Sequence, residues 1–279
     1  MKIIDAHMHF SRIHSLKDFA VHRAGVDYSA SGFEREATDC GIVAAVCMGL
    51  SESSPGANPC PVTPTPMLAD LEPHLPRGVA LMAGINPHRL DDACLQALKT
   101  AMRERLILGI KIYAGYYHFD VNDPIYTPVY RLAEEYGLPV AIHSGDTFSE
   151  RGLLEYARPL SVDRLAVTWR RLSFIICHLG SPWCLEACEV AFKNHNVFVD
   201  LSGLLCGSAA EVAELAAERL WTERFQQALL LLDGSDQILF GSDWPLTPLA
   251  AYIDFCKRLV PQKNWPAVFH DNAARLFGL

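Results

Sequence analysis

Short apolar runs rich in Val and Ile alternate with longer amphipathic stretches along all 279 residues. The runs Lys2–Ala6, Ile42–Met48, Val79–Ile85, Gly109–Tyr113, Val140–His143, Phe174–His178, Val197–Leu201 and Ile238–Gly241 predict strands. Several are hydrophobic at nearly every position, which suits parallel strands covered on both faces. Between them, Asp92–Arg103, Pro124–Tyr136, Pro182–Asn194 and Ala209–Leu232 carry helical periodicity. The punctuation agrees: Gly137-Leu138-Pro139 ends a helix before a strand, and Asp91-Asp92 supplies an acidic start to another. Ser11–Ser31 and the Pro- and Ser-dense Ser51–Pro66 read as long loops after the first two strands. Strand–helix alternation of this kind predicts an α/β protein, a single (β/α)8 barrel over residues 1–279. An open doubly wound sheet is the rival arrangement.

Composition supports a large core and narrows the partners. Hydrophobic residues make up 50% and charged residues 20% of the chain, well outside the disordered range. The net charge of -8 and the absence of a Lys/Arg run argue against a nucleic-acid partner. The nine cysteines are scattered, odd in number and without a Cys-x-x-Cys, which fits reduced thiols better than a disulfide framework. The opening Met1-Lys2-Ile3-Ile4-Asp5 is too short an apolar run for a signal peptide. No segment approaches the roughly 20 apolar residues that span a bilayer. A cytoplasmic protein acting on a small molecule is the expectation, with self-association left open.

Candidate chemistry gathers at the strand ends. Asp5-Ala6-His7-Met8-His9 closes the first strand, and side chains at i and i+2 of a strand point the same way. His7 and His9 can therefore approach one cation together. His143 closes the fifth strand, His178 the sixth, and Asp243 follows the eighth in Phe240-Gly241-Ser242-Asp243. In a barrel these ends converge on one mouth, and a cation satisfies several polar groups at once. Imidazole and carboxylate donors without thiolate point to one divalent ion at His7, His9, His143 and Asp243, Zn2+ first and Mn2+ next. A bound dication brings the pKa of water from about 16 to about 7. Asp243 would accept the proton of that water, and His178 would act as acid or base beside it or bind the metal directly.

Lys111 lies within the apolar Gly109-Ile110-Lys111-Ile112-Tyr113, where a lysine is costly to bury. Three readings stay open: a cation for a substrate carboxylate or carbonyl, a carbamylated bridge between two metals, and a structural ion pair. Further substrate contacts are expected from Tyr113, Arg151 and Trp183, with Arg12, Tyr116, Tyr117 and His118 also in loops that follow strands.

These segments resemble the amidohydrolase superfamily, in its amidohydrolase-related branch, family 2. The likeness rests on Ile4-Asp5-Ala6-His7-Met8-His9, Gly109-Ile110-Lys111, Gly137-Leu138-Pro139-Val140-Ala141-Ile142-His143, His178-Leu179-Gly180-Ser181-Pro182-Trp183, Phe240-Gly241-Ser242-Asp243-Trp244-Pro245 and Asn272-Ala273-Ala274-Arg275-Leu276-Phe277. It runs nearly the full length. The resemblance implies a distorted TIM barrel, metal ligands at His7, His9, His143 and Asp243, and His178 orienting or activating water. It also implies hydrolysis of an amide, lactone or related bond, with non-oxidative decarboxylation in a side branch. Two departures stand out: Tyr113-Ala114 where many relatives carry His-Pro, and Ser181 where many carry Gly.

Overall fold

The computed structural model describes residues 1–52 and 59–279. Its strands are β1 (Ile3–Met8), β2 (Ile42–Met48), β3 (Val79–Ile85), β4 (Gly109–Ile112), β5 (Val140–Ile142), β6 (Phe174–Ile176), β7 (Val197–Asp200) and β8 (Ile238–Leu239). They form one eight-stranded sheet in chain order, every neighbouring pair parallel. Closure comes from the backbone between β8 and β1. Ala6 N–H donates to Phe240 O at 2.9 Å, Asp243 N–H to His7 O at 2.8 Å, and His9 N–H to Trp244 O at 2.7 Å. The sheet is therefore a (β/α)8 TIM barrel, and the open sheet is excluded.

The helices are α1 (His14–Phe19), α2 (Ala30–Cys40), α3 (Asp92–Arg103), α4 (Thr127–Tyr136), α5 (Leu160–Thr168), α6 (Cys184–Lys193), α7 (Ala209–Ala217), α8 (Arg219–Leu229), α9 (Leu249–Leu259) and α10 (Asn272–Phe277). The turn chemistry behaves as read. Asp91 caps α3 by accepting from Cys94 N–H, and Gly137 ends α4 in left-handed backbone.

Two expectations are corrected. Ser11–Ser31 is not a plain loop: it carries α1, a π-helical turn (Ala20–Ala24) and the start of α2. Leu16, Ala20 and Ala24 bury its apolar side. Ala209–Leu232 is not one helix: Glu218 is extended (φ -68°, ψ 109°) and separates α7 from α8. The Ser51–Pro66 loop lies partly outside the described residues.

Alternation along the strands divides the core. Ile110 and Ile112 of β4, with Val140 and Ile142 of β5, pack outward under the helices. Val46, Met82, Ala141, Ile175 and Leu239 form an inner cluster, joined by Ala273 and Phe277 of α10. Period-two geometry then sends Lys111, Cys177 and Asp200 inward. They end the inner layer toward the mouth, where the ladder stops.

Candidate active site

At the mouth the strands are shorter than their apolar runs. β5 stops at Ile142, one residue before His143, and β6 at Ile176, two before His178. Beyond the ladder the backbone is free to turn sharply. His178 has φ 58° and Asp243 has φ 61°, left-handed conformations that few non-glycine residues adopt. Such backbone costs roughly 1–3 kcal/mol per residue and persists only where its surroundings fix it. Asp243 is fixed by the β1 seam, and His178 by its N–H, which donates to Asp200 Oδ1 at 2.9 Å.

His7, His9 and Asp243 meet. Asp243 Oδ1 lies 3.3 Å from His9 Nε2 and 3.6 Å from His7 Nε2, and its Oδ2 lies 3.9 Å from His178 Nδ1. His7 turns Nδ1 to Asp200 Oδ2 at 2.8 Å, an outer carboxylate that fixes the ring and leaves Nε2 facing the mouth. Asp200 was not singled out in the sequence. Its place at the end of a Val-rich strand, Val197-Phe198-Val199-Asp200, was the available signal. Beneath the site, Asp5 accepts from His7 N–H and from the backbone and hydroxyl of Ser242, which ties β1 to the Asp243 turn.

The donor set fits a divalent cation. Asp243 Oδ1 and His9 Nδ1 are buried without a hydrogen-bond partner, which is costly in a dry site. With His7 Nδ1 donating to Asp200, the His7 Nε2 lone pair points at the Asp243 carboxylate. The Lys111 ammonium stands 3.4 Å from that nitrogen, and a divalent ion between Nε2 and the carboxylate would meet both. Ligand atoms of His7, His178 and Asp243 all fall within 4.8 Å of one another.

His143 stands one ring farther out. Its Nδ1 is 3.1 Å from His178 Nε2, and its Nε2 is 2.9 Å from Asp146 O. The carbonyl takes the Nε2 proton, and Nδ1 faces a second imidazole nitrogen. Both nitrogens are thus engaged, and binding a metal would require the ring to release one of them.

Burial dominates the charge states. It pushes His7 down to about 3, assisted by the nearby Lys111 ammonium. It also depresses His143, with His178 and Lys111 adding to it, and His178, with Lys111 adding to it. Neutral imidazoles are the ligand form. For Asp243 burial acts upward, but the surrounding His178, His9 and His7 outweigh it and hold the carboxyl well below its usual range.

His9, His143, His178 and Asp243 line a cavity of about 560 Å³, with His7 buried behind them. Lys111 reaches it from below. Its buried ammonium donates to Cys177 Sγ at 2.9 Å and sits 3.4 Å from His7 Nε2. Among the described residues it forms no ion pair with a carboxylate, so the structural-pair reading fails. Tyr113 lines the cavity, its hydroxyl donating to Gly49 O at 2.8 Å. Arg151 is on the exposed rim, and Tyr116 is inside.

Trp183 is not among the lining residues: its ring lies under the Arg158 guanidinium at 5.0 Å, beside the start of α6. Arg12, Tyr117 and His118 are also outside the lining. Trp221 and Arg224, both on α8, line the cavity instead. They escaped the sequence reading because one unbroken helix offers no reason to look there.

Residues 4–279 match the family model described as Amidohydrolase. The chain belongs to the amidohydrolase family. Solved structures similar to this amidohydrolase include an uncharacterised TIM-barrel protein of Bordetella bronchiseptica, at 20% identity and TM-score 0.69, covering 100% of this chain and 99% of that one. A 2,6-dihydroxybenzoate decarboxylase from Rhizobium aligns at 14% identity and TM-score 0.65, covering 100% and 99%. A probable 2-pyrone-4,6-dicarboxylic acid hydrolase of Acinetobacter baumannii aligns at 16% and 0.63, covering 100% of both chains. At these identities the likeness is one of fold. No curated protein matches the chain. No helix among the described residues is long and apolar enough to cross a membrane.

Proposed function

We propose that this amidohydrolase is a metal-dependent hydrolase of a small, carboxylated substrate, with one divalent ion held by His7, His9, Asp243 and His143. The observation that carries the reading is the convergence of His7 Nε2 and His9 Nε2 on a buried, unpartnered Asp243 oxygen. The bound ion would supply Lewis acidity toward a carbonyl and make water acidic near neutral pH. Zn2+ suits the donors, and Mn2+ is the ion in a solved 5-carboxyvanillate decarboxylase of Novosphingobium aromaticivorans with this fold.

The chain's own residues handle protons and position. Asp243, held ionised, accepts the proton of the attacking water. His178, whose Nδ1 is 3.9 Å from Asp243 Oδ2, relays it to the departing group. Lys111 holds a substrate oxygen from the barrel floor, Tyr113 provides a wall, and Arg151 sits on the entry rim. The buried wall around the site excludes bulk water and strengthens each of these interactions.

Non-oxidative decarboxylation is the second reading. It is favoured by the structural neighbours described as 2,6-dihydroxybenzoate and 5-carboxyvanillate decarboxylases. Here the Asp243–His178 pair would return a proton to the carbon that loses carbon dioxide.

The test is a panel of lactones, amides and aromatic acids incubated with metal-loaded and metal-stripped protein. Acid release that needs metal, without carbon dioxide, is the expected result. Metal-dependent carbon dioxide evolution from an aromatic acid moves the protein to the second reading. Equal turnover by stripped protein removes both.

A further inference from the structure

Helix α8 gives the cavity an arginine that no acid claims. Arg224 forms no ion pair with any described residue, although Glu52, Asp146 and Glu150 line the same cavity. Its guanidinium is fixed by rings instead: Cζ lies 3.6 Å from the Trp221 ring centroid and 4.4 Å from that of Phe225. Stacking covers the faces of the guanidinium and directs its N–H groups outward along the edge. On that edge the Nε is buried and without a hydrogen-bond partner. The Nε1 of Trp221 is likewise buried and unpartnered.

Two neighbouring orphan donors, one of them cationic, are costly to leave dry. A planar anion arriving at the edge of the guanidinium would satisfy them together. A carboxylate meets Nε–H and a terminal N–H in the paired geometry that arginine favours, with the indole N–H as a third donor. The other cations that line the cavity are placed differently. Lys111 sits at the metal end, donating to Cys177 Sγ, and Arg151 is on the exposed rim.

We infer that Arg224 and Trp221 form a carboxylate subsite, so that the substrate carries a carboxylate away from the group that reacts at the metal end. This rests on the metal-dependent reading above and adds to it the substrate class and the residues that select it. The sequence places its candidate substrate-contacting arginines, Arg12 and Arg151, in loops. The break at Glu218 is what creates α8 as a separate helix, with Arg224 at the cavity wall.

The experiment measures the advantage conferred by a second carboxylate. Calorimetric affinities of isophthalate and benzoate are compared in metal-loaded wild type, Arg224→Gln, Arg224→Lys and Trp221→Phe, with metal content checked for each. Wild type should bind isophthalate about ten- to a hundredfold more tightly than benzoate. Arg224→Gln should bring that ratio close to one at unchanged metal content. Arg224→Lys should keep only part of the ratio, since it preserves charge without the fork, and it guards against a Gln variant that fails to fold. Trp221→Phe should lower the ratio by a few-fold.

A wild-type ratio near one overturns the subsite, as does a full ratio in Arg224→Gln, or in Arg224→Lys should the Gln variant not fold. The ratio is also read in metal-stripped protein, where it should persist. Loss of the metal reading would leave it intact. Loss of the ratio beside intact metal-dependent turnover would remove the subsite alone.

Discussion

The β1–β8 seam and helix α8, in the wall that α7 and α8 form, border the same cavity, yet seam and wall hold their polar groups by different means. At the seam, side chains are fixed through backbone ladders and buried carboxylates. Asp200 orients His7, and Asp5 locks Ser242 just before Asp243. At the wall, a capping box of Ser208 and Glu211 starts α7, α8 starts with no side-chain cap, and stacked rings position Arg224. The seam offers a rigid, dry cluster that can carry backbone strain. The wall offers surface that a separate helix presents, tied less tightly to the barrel. On the proposed reading, the metal-binding geometry is built on strands, while selection of substrate is left to a helix.

The contrast can be broken at its strongest point first. Asp243→Ala should reduce turnover by about a thousandfold and leave the purified protein with little metal by elemental analysis. Full metal occupancy in that variant would show that the seam is not where the ion sits.

The roles of the two outer histidines come next. His143→Ala should lose metal. His178→Ala should keep it while turnover falls about a hundredfold or more. The opposite pattern would make His178 the ligand, in keeping with its position nearer Asp243, and His143 its partner.

Gly203 tests how closely the loop after β7 is fitted to the seam. It has φ +63°, and a Cβ there would meet Asp243 Oδ2 at 2.7 Å and His178 Nδ1 at 2.9 Å. Gly203→Ala should weaken metal binding about ten- to a hundredfold, read by competition with a metallochromic chelator. Unchanged affinity would show that the two ends tolerate the same disturbance. The smallest effect belongs to the wall. Ser208→Ala should cost about 1 kcal/mol in urea unfolding with metal content unaltered, and a parallel loss of metal would couple wall to seam.

Much of this was legible in one dimension. The strand periodicity, the Gly137 and Asp91 punctuation, and His7-Met8-His9 at a strand end are local properties, and local geometry preserved them in the fold. The family likeness followed from the same motifs and their order. Other features depended on contacts distant in sequence. Asp200 reads as the end of a buried strand until His7, 193 residues away, is found against it. Trp183 follows a strand in sequence as a pocket residue would, but the turn after β6 carries it under Arg158. The helical periodicity of Ala209–Leu232 continues across Glu218, so the pattern alone shows no break there. Sequence by itself determined the element types, the barrel and the candidate ligands, because hydrophobic spacing and turn chemistry act over a few residues. Only the tertiary structure decided how the ring nitrogens are engaged, which carboxylate orients His7 and that α8 brings Arg224 to the cavity, because those depend on distances set by barrel closure.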